Sequence, residues 1–234
     1  MDVAAAIARA QVGDAVSRAI EFGADLSMTA DSLTHSPTER LGRLRCEGDV
    51  PFGLKTFTSM DPIRIARLLA ENHVEYVLVG GAAMAARGMN YATNDYDICY
   101  RVTSDNMQRL IDAVEPSNPK LRIESKGTTV SVHLDEYTLR ETPILPLATE
   151  AGNVDLLNRV EGLGDYAAVL QHCTALQIAE HSVPVLSYAG LALAKRAAGR
   201  MKDLMALPEL EALAEIERTS RPQPETPATD DDVE

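Results

Sequence analysis

Three acidic side chains stand where their type and spacing could do chemistry. Asp95-Tyr96-Asp97 opens a segment that alternates like a strand as far as Val102. Residues two apart on a strand share a face, so both carboxylates look at one spot while Tyr96 and Ile98 look the other way. Like charges that close repel, which raises a pKa or calls for a cation. Mg2+ is the natural one, since it takes oxygen ligands and keeps waters and phosphates as partners. The same pattern also suits a solvated edge strand with two surface acids, although Ile98-Cys99-Tyr100 makes the strand apolar just beyond. Asp155 is the third acid, inside the apolar run Asn153-Val154-Asp155-Leu156-Leu157. A buried acid needs a metal, a charged partner or backbone amides at a strand end.

Two further features offer phosphate chemistry. Val79-Gly80-Gly81 falls at a strand-to-helix turn, where glycines let backbone approach a phosphate and the next helix presents free N–H groups. Glycine pairs also end many strands with no ligand nearby. Lys195-Arg196-Ala197-Ala198-Gly199-Arg200-Met201-Lys202 is a basic run near the C-terminus. Lys195 and Lys202 lie two helical turns apart if no break intervenes. A solvated helix face paired with glutamates is the other reading of this run. His133, His172 and His181 have no ligand spacing, and Cys99 beside the acids suits core packing.

These residues need a scaffold. Residues 1–60 read as a small helical appendage with a linker. Ala4 to Phe22 carries one apolar face and ends at Gly23, Ser36-Pro37-Thr38-Glu39 forms a capping box, and residues 47–60 lack periodicity. Residues 61–217 form the main domain. Asp61-Pro62 starts a helix with Ile63, Ala66, Leu68 and Leu69 inward, and Val77-Leu78-Val79 is a strand buried on both faces. A helix from Ala82 stops at Gly88, and another starts at Ser104-Asp105. Strands are expected at 121–123, 130–134, 142–147, 153–157, 175–178 and 183–186, and helices at 164–170, 187–200 and 202–216. That order gives an α+β fold, a mixed β-sheet flanked by helices. Residues 218–234 read as a disordered acidic tail, or as an interaction tail.

Composition narrows the class. The net charge of −13 disfavours broad nucleic-acid binding, though not a local basic patch. The three cysteines form no CxxC pair and no even set, which fits a reducing, cytoplasmic setting. No run is apolar for the roughly 20 residues a bilayer requires, and the N-terminus lacks a basic leader, so no membrane association is expected.

Gly80-Gly81, thirteen intervening residues, then Asp95-x-Asp97 resembles the signature of the polymerase-β-like nucleotidyltransferases. Asp155 is similar to their third carboxylate. The stretch from Tyr76 to Tyr100 and the Lys195–Leu204 segment resemble the bacterial enzymes related to abortive-infection and toxin–antitoxin nucleotidyltransferases. The likeness spans roughly residues 61–217, about two-thirds of the chain. It implies a nucleotidyltransferase-like fold with Asp95, Asp97 and Asp155 as catalytic residues and ligands of one or two Mg2+ ions. It implies nucleotide contacts from Gly80, Gly81, Thr93, Lys195 and Lys202. It implies a nucleoside triphosphate as donor, an RNA such as tRNA, a protein or a small molecule as acceptor, and an antitoxin as partner. Many relatives carry Arg where Tyr91 stands and an acid where Ala206 stands. Those departures leave room for a catalytically silent binding module on the same fold.

Overall fold

The computed structural model describes residues 14–44 and 60–220. The expected helix from Ala4 is therefore described only from Asp14, and the linker up to Thr58-Ser59 and the acidic tail from Arg221 lie outside the described residues.

The N-terminal helices form where local signals are strong. Helix α1 (Asp14–Glu21) buries Val16 and Ala19, and Gly23 ends it with φ +94. Helix α2 (Leu26–Ser32) was not expected, because its short polar sequence shows no apolar period. The Asp25 side chain caps it, and Leu26 and Thr29 pack inward. Helix α3 (Pro37–Gly42) has the predicted capping box. Ser36 Oγ accepts from the Glu39 N–H, and the Glu39 carboxylate accepts from the Ser36 N–H at 2.7 Å. These helices share the core of the rest of the chain, to which they contribute Val16, Ala19 and Leu41. Arg40 ties them down, donating to the carbonyls of Ser32, His35 and, at 2.6 Å, Ala86.

Beyond them, helix α4 (Pro62–Glu71) starts at the Asp61 cap and buries Ile65, Ala66 and Leu69. Ile63 and Leu68, expected inward, are only half-buried. Strand β1 (Tyr76–Leu78) is buried throughout, and helix α5 (Gly80–Ala86) follows at once. Strand β2 (Asp95–Tyr100) and helix α6 (Ser104–Val114) come next; the helix is capped by Thr103, one residue before the expected cap. Then come β3 (Lys120–Ile123), β4 (Thr128–Ser131), helix α7 (Glu136–Glu141), β5 (Ile144–Thr149) and β6 (Gly152–Leu157). Helix α7 was not foreseen. Asp135 caps it, and its buried Leu139 carbonyl accepts the Tyr100 hydroxyl at 2.5 Å.

A small pair, β7 (Arg159–Val160) and β8 (Gly164–Asp165), precedes helix α8 (Tyr166–Leu170). Strands β9 (Cys173–Ile178) and β10 (His181–Leu186) follow, then helices α9 (Tyr188–Ala198) and α10 (Met201–Thr219). The last helix runs two residues into the segment expected to be tail.

The sheet has eight strands in the order β4-β3-β5-β6-β2-β1-β10-β9. Two neighbouring pairs, β2–β6 and β1–β10, are parallel, and the others are antiparallel. The fold is thus the mixed α+β arrangement expected. Among the described residues no helix is long and apolar enough to cross a membrane.

Candidate active site

The parallel pairing of β2 with β6 builds the site. Its register sets Asp95 beside Asn153 and Asp97 beside Asp155. Parallel neighbours point the same way, so Asp95, Asp97 and Asp155 share one face of the sheet. The alternate residues Tyr96, Ile98, Val154 and Leu156 are buried in the core on the other face. The three expected acids, from two separate stretches of chain, are brought together.

The glycine turn packs directly on this cluster. Gly80 has φ +62, and a Cβ there would lie 2.6 Å from Asp97 Cγ. A Cβ on Gly81 would lie 2.6 Å from Thr93 Cβ. The Gly81 N–H donates to the Asp97 carboxylate. Each glycine therefore answers to a protein neighbour. Thr93 braces the entry to β2, its hydroxyl donating to the Asp95 carbonyl at 3.2 Å and accepting from the Asp95 N–H at 3.3 Å.

Electrostatics mark Asp97 as the stressed member. Burial, then the charges of Asp155 and Asp95, push its pKa up to about 7, against the opposing pull of the Gly81 N–H and Lys195. Asp95 and Asp155 instead find a cation. Arg122 on β3 donates from Nη1 to Asp95 Oδ1 at 2.7 Å and from Nη2 to Asp155 Oδ1. Asn153 Nδ2 also donates to Asp95 Oδ1, at 3.1 Å. Among the described residues the buried Arg122 Nε has no hydrogen-bond partner.

Lys195 and Lys202 part company. Gly199 ends α9 in the left-handed conformation, φ +63, so the two lysines do not share a helix. Lys202 sits exposed on the first turn of α10. Lys195 turns inward. Its Nζ lies 2.6 Å from Asp203 Oδ1, 3.4 Å from the Tyr91 hydroxyl and 5.0 Å from the Tyr91 ring centroid. Asp203 is fully buried and also binds Arg200 Nε. Burial alone would raise its pKa, but the hydrogen bonds from Lys195 and Arg200 outweigh that and hold it below the ordinary value. Tyr91 therefore supplies a ring face to Lys195.

Beside Thr93 a cleft of about 500 Å³ opens between the N-terminal helices and the segment before β2, lined by Met28, Arg40, Met89 and Tyr91 among others.

Sequence reasoning missed Arg122 and the role of Asp203. Arg122 had a signal: it is a charge between Leu121 and Ile123 in a strand, and a charge on a half-buried strand needs an opposite partner. Asp203 sat in the basic run beside Lys202, but nothing in the spacing showed that α9 and α10 would fold it against Lys195.

No protein-family model matches the chain, and no curated protein sequence matches it.

The donor chemistry suits a divalent cation: three carboxylates on one face, with the cluster still net negative after one guanidinium. Their present placement suits it less. Among the described residues no group of three or more His, Cys, Asp or Glu is arranged to hold a metal ion. Arg122 stands where two of the three acids would meet one.

Proposed function

We propose that this chain is a Mg2+-dependent nucleotidyltransferase of the polymerase-β-like type. It would move a nucleoside monophosphate from a triphosphate to a hydroxyl of an RNA, a protein or a small molecule. The observation that carries the reading is the register that sets Asp97 against Asp155, with Asp95 two residues away on the same face.

Asp95, Asp97 and Asp155 would hold Mg2+, which would supply positive charge to offset the charge that develops during phosphoryl transfer. The chain's own groups have separable tasks. Asp155, on β6, accepts the proton of the acceptor hydroxyl as its oxygen bonds the α-phosphorus and the bond to pyrophosphate breaks. Lys195, fixed by Asp203 and the Tyr91 ring, holds a positive charge against the triphosphate. Gly80 lets the turn lie close to Asp97, and Thr93 holds the backbone of Asp95. The cleft beside Thr93 has the volume for a nucleoside. Within the resembled group, the toxin of a toxin–antitoxin pair is the role this reading favours.

A second reading has its own support. Arg122 bridging Asp95 and Asp155 would suit a nucleotide- or partner-binding module without turnover, because it pairs two of the three acids internally.

Incubation of the full chain with α-labelled triphosphates, Mg2+ and bulk tRNA or lysate separates the two. Transfer of label that Asp95→Asn abolishes supports the enzyme. Triphosphate binding with no transfer to any acceptor supports the silent module, and transfer only to added aminoglycosides redirects the acceptor to small molecules.

A further inference from the structure

The Arg122 guanidinium is held by two of the three acids and is mostly buried, with 14% of its side chain exposed. Its two terminal nitrogens each take one carboxylate, the geometry that makes arginine a bridging cation. Its third donor, Nε–H, is buried with no acceptor among the described residues. A guanidinium in a permanent structural bridge normally satisfies all its buried donors, because an unmade hydrogen bond is costly. The pose therefore satisfies the carboxylates better than it satisfies the arginine.

The strand that carries Arg122 is weakly held. β3 pairs with β5 at Lys120 and Leu121, and that ladder stops before Arg122. On its other side β3 has only β4, the edge strand, which is exposed along its whole length. Short edge pairs with solvent-exposed hydrogen bonds open at the low end of a protein's local stability. Asp97 and Asp155 instead sit on strands in the middle of the sheet. The acids are on central strands and the arginine is on the strand next to the sheet edge, where local opening costs least.

We propose that Arg122 is the resident counter-cation of the acid cluster, and that a divalent cation must displace it from between Asp95 and Asp155. A guanidinium and a doubly charged ion repel when they share the same carboxylate oxygens, so the two exclude each other. Arg122 keeps the metal-free cluster stable and lowers its affinity for metal. This rests on the assignment of the three acids as metal ligands. It goes further in giving one residue control over when the site is loaded.

The test is calorimetric titration of Mn2+ into the metal-free full-length protein, without nucleotide, for wild type, Arg122→Gln, Arg122→Lys and Asp97→Asn. Arg122→Gln is expected to bind Mn2+ at least about tenfold more tightly than wild type. Its metal-free melting temperature should fall, and Mn2+ should restore it. Arg122→Lys should bind more tightly than wild type by a smaller factor, since a point charge cannot span both acids as the fork does. It also carries the test if the glutamine variant does not fold. Equal or weaker Mn2+ binding by both variants, with wild-type binding lost in Asp97→Asn, would overturn the counter-cation role and leave the metal site standing. Absence of Mn2+ binding in wild type and both Arg122 variants would overturn both.

Discussion

Asp97 and Asp155 are direct partners across the parallel β2–β6 pair, so two acids from distant parts of the chain are held on one face by backbone hydrogen bonds. That face is partly closed to water, and the Asp97 carboxyl is forced up to about 7 by burial and its acidic neighbours. The unfolded chain ionises the same group near the ordinary aspartate value of 3.8. Between those values the folded protein binds a proton that the unfolded chain does not. Stability of the metal-free protein should therefore fall as pH rises from about 4 to 7, by a few kcal/mol at roughly 1.4 kcal/mol per tenfold change in proton affinity. Asp97→Asn should flatten this slope and raise the melting temperature at pH 8. Urea denaturation in chelator at several pH values reads it. A slope unchanged in Asp97→Asn would show that another group is responsible.

Gly80 tolerates no side chain. Its positive φ strains any other residue, and a Cβ would run into the Asp97 carboxylate. Gly80→Ala should cost about 1–3 kcal/mol from overpacking, and it should displace Asp97. The expected pattern is lost transfer activity with the fold retained by circular dichroism. Wild-type transfer would contradict the close packing of turn and acid.

How much of this could be read before the structure depends on range. Short-range signals were legible. The capping box at Ser36–Glu39 formed as expected, the apolar strand expected at Val77–Val79 runs Tyr76–Leu78, and the alternation expected from Asp95 to Val102 gives a strand that ends at Tyr100; each signal acts within a few residues. The acids themselves were visible as charges in apolar strands. Helix α2 was not, because its cap and its contacts, not its pattern, hold it. The register that places Arg122 on Asp95 and Asp155 depends on strands far apart in the chain, and no local pattern encodes it. The separation of Lys195 from Lys202 turns on one residue, Gly199, whose left-handed conformation makes the break between the helices expected at 187–200 and 202–216.

That break yields a contrast between the two lysines. Lys195 faces inward and lowers the pKa of Asp97, whereas Lys202 is exposed. Lys195→Ala should raise KM for the triphosphate about tenfold or more, the worth of one charge-assisted phosphate contact. Lys202→Ala should change it less than about twofold. Steady-state kinetics with varied triphosphate decide; equal effects would return Lys202 to the site.

Asp203 is fully buried between Lys195 and Arg200. Asp203→Ala leaves Lys195 buried without its anion and should destabilise the protein by about 3–5 kcal/mol. Asp203→Asn, which keeps shape and one acceptor, should lose less stability but still raise KM. A variant with normal stability and normal KM would remove Asp203 from its positioning role.

Arg40 anchors the N-terminal helices through carbonyls of their own chain and of Ala86 on α5. Arg40→Ala should free residues 14–44 before the sheet melts. Limited proteolysis is expected to cut in that region at least about tenfold faster, while hydrogen exchange in β2 and β6 stays slow. Uniform loss of protection across the sheet would mean that the helices and the sheet open as one unit.

The central claim is that Asp97 and Asp155 act as one catalytic unit. Its most direct test is the rate of label transfer from α-labelled triphosphate, with Mg2+ and bulk tRNA, by wild type, Asp97→Asn, Asp155→Asn and the double variant. Residues that work as a unit lose their effect together, so each single variant should fall by about 10³-fold or more and the double should be no slower than either. Retention of near-wild-type transfer by Asp155→Asn, or losses that multiply in the double variant, would contradict the account.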